Sequence, residues 1–476
     1  MTRFNKKTVG TKVINRAGGA AFSQTAELEL VSLLLTSFVS DKFYESSDDQ
    51  LTRLQNLVAA IPDKKFIGQA AIYARTQFGM RSITHALIGE LVNQVKGQEW
   101  LKNAVQKTIF RPDDMMEMVS YYFNKYGKPM PNSLKKGIRA SFNEFDPYEL
   151  AKYRGENLEV KLVDLVNLVH PKPNAKNKVA FKQLVAGKLK SKDTWEKNLT
   201  QAGQKAETEE EKQELKGAAW AKLIKQDKLG YFALLRNLRN IIQDAPEVID
   251  EALAILVDKK RIKNSLVLPF RFITALDEIS KLNGTEARKT IKALNVAVDI
   301  AADNVPKFPG MTLVALDCSG SMSGRPAQIG SLFAAILSKS NEADIMLFSD
   351  DAHYKMVNTA DSTITIANSI GFASGGTNFP AIFAEANRKY DRIIILSDMQ
   401  GWVEGGAPTY GFEQYRKKYS ANPKIFSIDL AGHGDMMFPQ NNVYCLAGFS
   451  EKIFGVMKLL EEDRNALVET IKKIVV

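Results

Sequence analysis

The sequence predicts an all-helical part over residues 1–305, followed by an α/β part of the doubly wound class over residues 306–476. Up to about Asn304, apolar side chains recur at the spacing of one helix face. After Pro306, short apolar runs of strand length alternate with helix-length segments, which is typical of a mostly parallel sheet covered by helices. The balance of charge changes at the same place. These observations together predict a chain of two domains.

The helical part shows amphipathic stripes separated by prolines. One stripe comprises Leu158, Leu162, Leu165, Val166 and Val169, at intervals of one to four residues that lie on one helix face. Prolines interrupt the pattern every few tens of residues, which gives helices of common length. They are Pro62, Pro112, Pro129, Pro131, Pro147, Pro171, Pro173, Pro246 and Pro269. No strict repeat is visible, so the pattern indicates a degenerate array of stacked helix pairs.

Four strands are predicted in the α/β part, each from a short apolar run. They cover Thr312–Leu316, Ile345–Phe348, Arg392–Leu396 and Lys424–Leu430. The helices predicted between and after them cover Ala327–Lys339, Phe379–Lys389, Phe412–Tyr419 and Glu451–Ile474. Because buried strands that are separated by helices usually pair in parallel, we expect a doubly wound parallel sheet.

The net charge of +10 is unevenly divided between the two parts. Residues 306–476 hold 16 of the 64 Lys and Arg residues and 18 of the 54 Asp and Glu residues, a balance of −2. Residues 1–305 hold the other 48 basic and 36 acidic residues, a balance of +12. Such an excess indicates a part that meets a polyanion, although a lysine-rich solvated surface would give the same balance.

Composition excludes several classes of protein. The two cysteines, Cys318 and Cys445, cannot form a disulfide framework, so we expect a reducing compartment. No apolar run approaches the ~20 residues that a membrane-spanning helix needs. The basic N-terminus lacks the apolar stretch of a signal peptide. We therefore expect a cytoplasmic protein without a membrane partner.

A set of oxygen donors follows two of the predicted strands. Asp317, Ser319 and Ser321 come directly after the first strand. Thr377 lies on a later glycine-rich loop, and Asp398 follows the third strand. The carboxyl ends of strands in an open α/β sheet share one edge, where ligands bind. Because oxygen ligands with few charges suit a hard ion that keeps some waters, the sequence predicts one divalent cation, Mg²⁺, at this edge.

The same residues do not have the pattern of a catalytic centre. Ser319 and Ser321 are not in a G-x-S-x-G turn, which exposes the nucleophilic serine of α/β hydrolases. Two-metal phosphoryl chemistry in a nuclease uses clustered carboxylates, and only Asp317 and Asp398 are available here. Cys318 is interpreted as a small packed side chain. We therefore expect a binding protein and not an enzyme.

Basic residues of the helical part form four local groups. The groups are Lys135 with Lys136 and Arg139, Lys152 with Arg154, His170 with Lys172, and Arg236 with Arg239. Tyr153 lies between the two cations of the second group. Cations pair with phosphates, and Tyr or His rings stack on unpaired bases, so the groups predict contacts with single-stranded RNA. A set of solvated helix faces, with His170 as a helix cap, is the alternative, and composition leaves both open.

Several segments of the chain carry a pattern that resembles a known family. They are Asn15–Gly19 (NRAGG), Asn132–Pro173, Ala233–Leu238 (ALLRNL), and Leu268–Phe270 followed by Ala275 and Leu276. Their order is similar to that of the TROVE module of Ro ribonucleoproteins. The five oxygen donors after the strands resemble the metal-ion-dependent adhesion site of von Willebrand A domains. The fusion of the two modules, over essentially the whole chain, is also found in the Ro family.

The resemblance implies a closed ring of HEAT-like helical repeats joined to a von Willebrand A domain. In such proteins the single-stranded 3′ ends of misfolded noncoding RNAs enter the central hole, and Y RNAs bind the basic outer surface. In bacteria, a Y-like RNA can tether the protein to polynucleotide phosphorylase, an exoribonuclease. A ring that closes on itself implies a monomeric protein.

Some basic residues match the family by position. Those on its RNA-contacting stretch are Lys152, Arg154 and His170, and those on the basic helix before it are Lys135, Lys136 and Arg139. Glu156 departs from the family pattern, because it stands where a further basic residue can occur. We expect an RNA-binding protein of noncoding RNA quality control or processing. The alternative is a protein-interaction scaffold whose metal ion holds an acidic residue of a partner.

Overall fold

The computed structural model describes two compact units. The residues it describes are 12–14, 20–22, 25–36, 47–189, 199–200, 203–204, 206–265, 267, 269–302, 305–372, 375–399, 401, 408–430, 443–447, 452–462 and 466–476. The helical unit comprises residues 26–194 and 467–476, and the mixed unit comprises residues 1–25 and 195–466. The boundary at residue 305 rests on a change of sequence pattern and not on compactness, and it stays a prediction.

The helical unit is built from amphipathic helices that pack against near neighbours in the chain. In chain order, α1 to α10 cover Ala26–Thr36, Ser47–Ala60, Lys64–Phe78, Ser82–Gln94, Trp100–Thr108, Pro112–Tyr126, Asn132–Ser141, Pro147–Lys152, Leu162–Val169 and Lys178–Val185. Four members of the predicted stripe, Leu162, Leu165, Val166 and Val169, are buried on α9. The fifth, Leu158, lies before the start of α9 and is 49% exposed, so the stripe was predicted too long at this end.

Local sequence signals set the ends of these helices. Asp63 precedes α3, and its carboxylate accepts a hydrogen bond of 3.1 Å from the backbone N–H of Phe66. Asp146 and Glu149 form a reciprocal capping box at the start of α8, with bonds of 2.8 and 2.9 Å. Each cap satisfies backbone N–H groups that the first turn of a helix leaves without a partner.

The C-terminal segment of the chain belongs to the helical unit. Gln69 of α3 is buried, and its amide donates to the backbone carbonyls of Lys472 at 2.6 Å and Ile474 at 2.9 Å. Ile471 is fully buried in the same region. The last carbonyls of a helix have no partner within the helix, so the Gln69 amide satisfies two groups that would otherwise need water.

The mixed unit begins with a short antiparallel pair of strands, β1 over Lys12–Ile14 and β2 over Ala20–Phe22. The expectation of an all-helical part is wrong at this point. Val13 and Ile14 are β-branched, which favours extended backbone, and Val13 lies opposite Ala21 in the pair. The helices that follow, α11 to α16, cover Glu209–Lys225, Tyr231–Asp244, Ile249–Leu256, Lys259–Ser265, Pro269–Ile279 and Thr285–Ala302.

The rest of the mixed unit is organised around a six-stranded sheet with the strand order β5-β4-β3-β6-β7-β8. The strands β3 to β8 cover Thr312–Asp317, Asp344–Phe348, Ala352–Lys355, Arg392–Ser397, Lys424–Asp429 and Val443–Ala447. The four strands predicted from the sequence are confirmed, each with its ends within one residue. The strands β5 and β8, at the two edges, were not predicted.

The sheet is mixed and not fully parallel. β3, β4, β6, β7 and β8 pair in parallel, whereas β5 runs antiparallel to β4. Only residues 349–351 separate β4 from β5, and the Ser349 N–H donates to the Asp351 carbonyl at 2.8 Å. A connection of three residues can join only antiparallel strands, because a parallel pair needs a crossover of a dozen residues or more. The predicted parallel sheet is therefore wrong at this edge.

Six helices accompany the sheet or follow it. The helices α17 to α22 cover Arg325–Asn341, Thr363–Asn368, Phe379–Glu385, Pro408–Tyr419, Lys452–Glu462 and Ala466–Lys472. α19 ends four residues before its predicted end, because the chain turns there toward β6 and Tyr390 becomes fully buried. The segment predicted as a single helix over Glu451–Ile474 contains α21 and α22, and residues 463–465 between them lie outside the described residues. None of the helices in the described part of the chain is both long enough and apolar enough to cross a lipid bilayer.

Helices cover both faces of the sheet. On one face, Gly330 of α17 approaches Leu316 so closely that a Cβ atom at Gly330 would lie 2.6 Å from the Leu316 side chain. On the other face, Leu313 packs in a cluster with Phe379 of α19 and Phe412 of α20. Glycine at position 330 therefore sets how near α17 lies to the sheet.

The helix α16 is joined to the helices of the sheet by a polar contact. The Asp299 carboxylate accepts hydrogen bonds from the backbone N–H of Thr363 at 2.9 Å and from its hydroxyl at 2.6 Å. Lys339 of α17 forms an ion pair with the same carboxylate at 3.1 Å. These contacts explain why residues before position 305 form one compact unit with the sheet.

Candidate functional site

The carboxyl edge of the sheet carries the predicted metal residues. Asp317 is the last residue of β3 and is fully buried, and Asp398 follows β6 directly and is also buried. β3 and β6 are parallel neighbours, so both carboxylates lie at the same edge of the sheet. The strand-end rule used on the sequence therefore placed them correctly.

Two serine hydroxyls follow Asp317 on the same loop. The Ser319 N–H donates to the Asp317 carboxylate at 2.8 Å, and the hydroxyl oxygens of Ser319 and Ser321 are 3.1 Å apart. A short 3₁₀ turn over Gly320–Met322 produces this arrangement. Ser319 is buried and Ser321 is exposed, so the pair of hydroxyls reaches from the buried carboxylate to solvent.

The loop that carries Thr377 lies beside this serine loop. The Gly320 N–H donates to the Gly375 carbonyl at 3.2 Å, which joins the two loops. The Gly376 N–H donates to the Asp350 carboxylate at 2.9 Å. A Cβ atom at Gly375 would lie 2.6 Å from that carboxylate, so glycine is needed there. Thr377 itself is buried.

The electrostatics of Asp317 distinguish this edge of the sheet. Burial raises the pKa of Asp317 to about 7, the charge of Asp398 adds to the rise, and hydrogen bonds from Ser319 and Ser397 oppose it. The Ser397 hydroxyl donates to Asp317 at 2.6 Å. Within the described residues, the hydrogen-bond donors to Asp317 are neutral. The buried carboxylate is therefore not compensated by a positive side chain.

The donor set fits a hard divalent cation. Carboxylate and hydroxyl oxygens are ligands that Mg²⁺ accepts, and a cation beside Asp317 would stabilise its charged form. Cys318 lies between Asp317 and Ser319 in the chain. Burial raises the pKa of its thiol to about 12, and the charge of Asp317 adds to this effect, which disfavours the thiolate form.

A second acidic constellation lies in the helical unit and was not predicted. His85 of α4 and Asp114 and Glu117 of α6 offer ligand atoms that all lie within 4.8 Å of one another. Among the described residues, this is the group of His, Cys, Asp and Glu side chains that is compact enough to hold an ion. His85 and Asp114 are almost completely buried.

Two arginines occupy this second constellation. Arg75 pairs with Asp114 at 2.8 Å, and Arg81 pairs with Asp114 at 2.6 Å and with Glu117 at 3.1 Å. Burial by itself raises the pKa of Asp114, but the charges of His85, Arg75 and Arg81 outweigh it and lower the pKa to about 2. The carboxylates are thus compensated by the protein's own cations, which indicates a structural ion network and not a metal site.

A cavity of about 590 Å³ adjoins this network. Its lining consists of Arg81, Asp113, Met116, Glu117, Ser120, Tyr121, Asn157, Leu158, Glu159 and Val160. Three carboxylates face one guanidinium, and that guanidinium is already paired with Asp113 at 2.7 Å. The balance of charge is unfavourable for a phosphate.

Of the basic groups, the structure brings Arg139 of α7 together with His170 at the end of α9. The Arg139 Nε–H donates to the carbonyl of Val169 at 2.5 Å, and His170 is the next residue. His170 adopts a left-handed backbone conformation with φ of 48° and caps α9 through its own N–H. Both side chains are exposed. The capping role proposed for His170 is confirmed, and it leaves the imidazole in solvent.

The remaining cations of α7 lie on the same helix as Arg139. Lys136 is exposed and Lys135 is half-buried. Lys172, beyond α9, is exposed too. These side chains are accessible to a ligand, as the RNA hypothesis requires, but their contacts with RNA stay a prediction.

In the second basic group, the cations at the Tyr153 ring are not Lys152 and Arg154, as their order in the chain suggests. They are Lys152, whose Nζ atom lies 5.4 Å from the ring centre, and Arg111, whose Cζ atom lies 5.1 Å from it. Arg154 pairs instead with Glu156 at 2.9 Å and donates to the Leu189 carbonyl. Glu156 therefore neutralises a residue predicted to contact RNA.

Arg236 and Arg239 lie in the mixed unit, on α12. Both are exposed, and Arg239 pairs with Glu278 of α15 at 3.1 Å. The predicted RNA residues thus belong to two different compact units, with Arg139 and His170 close together in the helical unit and Arg236 and Arg239 one turn apart on α12 in the mixed unit.

The family of the chain follows from a comparison with known proteins. The TROVE domain matches residues 32–187 and 180–308, which together make up more than half of the 476 residues. The chain belongs to the TROVE domain family of Ro ribonucleoproteins. The recognition made from the sequence segments is confirmed.

Curated relatives of this Ro-family chain are distant. It is 23% identical over 349 residues to telomerase protein component 1 of Mus musculus, covering 54% of the chain and 13% of that protein. It is 24% identical over 224 residues to RNA-binding protein RO60 of Deinococcus radiodurans, covering 41% of the chain and 42% of that protein. The matches therefore span less than half the length of these relatives.

The fold is shared with a solved Ro protein. The crystal structure of the Deinococcus radiodurans Ro (RSR) protein has a TM-score of 0.62 to this chain at 16% identity, covering 94% of the chain and 99% of that protein. The helix-rich chain with its mixed six-stranded sheet therefore has the Ro protein fold. A closed ring of HEAT-like repeats and a von Willebrand A domain stay predictions.

Sequence reasoning on this Ro-family chain missed several residues that the structure places at its sites. Ser397 holds Asp317 from the neighbouring strand, and Asp350 holds the Thr377 loop. Ser397 directly precedes Asp398, so the strand-end rule could have included it. The contacts of Arg111 with Tyr153 and of Arg75 with Asp114 gave no signal in the sequence, because the partners are distant in the chain.

Proposed function

We propose that this Ro-family protein binds structured noncoding RNAs with single-stranded 3′ ends, either Y-like or misfolded, and acts in their quality control or processing. The observation that carries the proposal is the TROVE domain over the residues that bear the exposed basic groups. The Deinococcus relative is named an RNA-binding protein, which supports the same function.

The group formed by Arg139 and His170 is suited to an unpaired RNA end. Arg139 uses its Nε–H on the Val169 carbonyl, which fixes the guanidinium and leaves its terminal N–H groups for a phosphate. The exposed His170 imidazole can stack on an unpaired base. Lys136 and Lys172, both exposed, add positive charge on neighbouring segments.

The proposed role is non-enzymatic. The protein supplies shape and charge to hold the RNA, and cleavage of phosphodiester bonds belongs to a partner exoribonuclease such as polynucleotide phosphorylase. The protein acts as a monomer in the cytoplasm.

Titration of labelled RNA tests the proposal. We expect a hairpin with a single-stranded 3′ tail to bind more tightly than a blunt duplex of the same length. Affinity should fall roughly tenfold or more between about 50 and 200 mM salt, since several phosphates are neutralised. Equal affinity for the two RNAs would contradict a site for unpaired ends.

A second candidate function is a protein-interaction scaffold. It is favoured by the uncompensated Asp317 at the sheet edge and by the exposed hydroxyl of Ser321. We propose that Ser319, Ser321 and Thr377, with Asp317 and Asp398, hold one Mg²⁺. The ion would supply a positive charge that binds an acidic side chain of a partner protein.

Salt dependence separates the two candidates. A scaffold that binds only through the metal would show no steep fall of RNA affinity with salt, and its partner would dissociate in EDTA. An RNA-binding protein would keep its RNA in EDTA, because the basic groups include none of the proposed metal ligands.

A further inference from the structure

One aromatic side chain of the mixed unit is exposed beside several arginines. Phe232 lies in the first turn of α12 with 44% of its surface exposed. Its neighbours Tyr231, Leu234 and Leu235 are buried, so the apolar stripe of α12 is satisfied without it. Packing of the core therefore does not explain a phenylalanine at this position.

A guanidinium orients the Phe232 ring. Arg271 of α15 lies with its Cζ atom 5.7 Å from the ring centre, within the range of a cation–π interaction. α12 and α15 pack against each other, so the contact joins two adjacent helices. The contact with Arg271 orients the Phe232 ring, while almost half of the side chain's surface is exposed to solvent.

Positive charge continues along α12 from this ring. Arg236 and Arg239 stand four and seven residues after Phe232, which places all three on one face of the helix, and both are exposed. Arg239 pairs with Glu278, but Glu278 also pairs with Lys281 at 2.5 Å. One carboxylate is thus shared by two cations, which leaves positive charge in excess.

A neighbouring helix adds to the excess. α14 packs against α12 and has the sequence KKRIKNS. Lys259, Lys260 and Lys263 of this helix are exposed, whereas Arg261 is paired with Asp227 at 2.7 Å. Asp258, directly before α14, and Asp277 of α15 are also exposed and oppose these charges, but the three lysines outnumber them.

We propose that the surface formed by Phe232, Arg236, Arg239 and Arg271 is a binding subsite for single-stranded RNA. An unpaired base stacks on the Phe232 ring beside the Arg271 guanidinium, and the phosphates on either side pair with Arg236 and Arg239. An exposed aromatic ring with cations along its helix is the arrangement that holds single strands without reading their sequence. The proposal rests on the proposed RNA function and adds a defined position for one base.

Fluorescence anisotropy with a labelled hairpin RNA that carries a 3′ tail of about ten nucleotides tests the subsite. Phe232→Leu keeps an apolar side chain but removes the ring, and we expect affinity for the tailed hairpin to fall about tenfold, in line with the loss of one stacked base. The slope of affinity against salt should not change, because no charge is lost. Phe232→Trp keeps an aromatic ring and should bind the tailed hairpin as tightly as the unaltered protein, and the fluorescence of the added tryptophan should be quenched by the RNA.

Matched variants complete the test. Arg236→Ala should lower the salt slope by roughly 0.7, the value for one phosphate of a single strand. Tyr410→Leu removes an aromatic ring that is 65% exposed on another helix, and it should bind RNA like the unaltered protein. Circular dichroism of each variant checks that the fold is kept.

Each other outcome has a definite meaning. If the unaltered protein binds the tailed hairpin and Phe232→Leu binds it equally well, the subsite is wrong and the proposed function stands. An equal loss for tailed hairpin and blunt duplex would also overturn the subsite, since a duplex has no base to stack on the ring. If the unaltered protein binds neither RNA, the proposed function fails and the subsite with it.

Discussion

Two acidic constellations of this protein differ in how their charge is balanced. At the sheet edge, Asp317 is buried among neutral hydrogen-bond donors and beside Asp398, and its pKa is raised to about 7. In the helical unit, Asp114 is equally buried, but it is paired with Arg75 and Arg81, and its pKa is lowered to about 2. Burial is the same in both, and the difference lies in the cations.

The comparison indicates which of the two clusters is the better candidate for binding a metal ion. A compact set of carboxylates around His85 has the spacing of a metal site, but its own arginines already satisfy it. The sheet edge also has two carboxylates, but Asp317 there is buried without a cation, so it is the better candidate for Mg²⁺. Charge compensation, and not the number of acidic groups, therefore distinguishes the two clusters.

The largest effect is expected for Asp114→Asn. The change leaves the Arg75 guanidinium, whose side chain is 8% exposed, without its carboxylate, and breaking such a buried pair costs about 3–5 kcal/mol. Urea unfolding followed by circular dichroism measures the loss. Asp227→Asn is the matched control, because its pair with Arg261 is largely exposed, and it should cost less than about 1 kcal/mol. Equal costs for the two variants would contradict a structural network.

The corresponding substitution at the sheet edge, Asp317→Asn, should weaken metal binding without lowering the stability of the metal-free protein. We expect Asp317→Asn to weaken Mg²⁺ binding by roughly a hundredfold in isothermal titration calorimetry, since a charged group beside the ion is lost. In EDTA its free energy of unfolding should not fall, because the removed charge was buried and uncompensated. Asp114→Asn serves as the reciprocal control and should bind Mg²⁺ normally. If Asp317→Asn destabilised the metal-free protein as much as Asp114→Asn, the comparison between the clusters would be wrong.

These two clusters also show what the sequence could reveal. Asp317, Ser319 and Ser321 were found because they are contiguous and follow a strand, so a rule about strand ends was enough. Ser397 contacts Asp317 from 80 residues away, and Arg75 contacts Asp114 from 39 residues away. Such partners are brought together by the packing of strands and helices, and no spacing along the chain records them.

The edge strand β5 was missed for a related reason. β5 is four residues long and half-buried, with no apolar run, so it exists because a tight turn returns the chain onto β4. The central strands β3 and β6 are buried at every position, and their continuous apolar runs made them easy to predict. Prediction succeeded for the central strands, which carry their own signal, and failed for β5, where pairing supplies it. β8 has the apolar sequence VYCLA and was overlooked although it carries such a signal.

A pH titration sharpens the comparison. Burial raises the pKa values of Asp114 and Glu117, but nearby positive charges outweigh it and lower both to about 2, from ordinary values of 3.8 and 4.5. At Asp114 these charges are His85, Arg75 and Arg81, and at Glu117 they are His85 and Arg81. A carboxyl whose folded pKa is lowered stabilises the fold above its unfolded pKa, and this stability is lost as pH falls. We expect the helical unit to lose roughly 2 kcal/mol for Asp114 between about pH 4.5 and 2. Urea midpoints across this range measure it, and Asp114→Asn should flatten the profile.

The smallest effect is expected for the ion pair at Arg154, a residue predicted to contact RNA. Glu156 pairs with Arg154 at 2.9 Å, as Asp114 pairs with Arg75, but the Arg154–Glu156 pair is more exposed. Glu156→Gln keeps the shape of the side chain and removes its charge, which frees Arg154 for a phosphate. We expect affinity for the tailed hairpin to rise roughly twofold to fivefold at about 150 mM salt, with a steeper salt slope.

Glu159→Gln provides the control. It removes another exposed carboxylate nearby in the chain, which pairs with no arginine in the described part of the structure. A gain of equal size in both variants would mean that general charge, and not release of Arg154, strengthens binding. No gain in Glu156→Gln, together with a loss in Arg154→Ala, would show that Arg154 reaches RNA while still paired, because its guanidinium has donors to spare beyond the two that Glu156 and Leu189 accept.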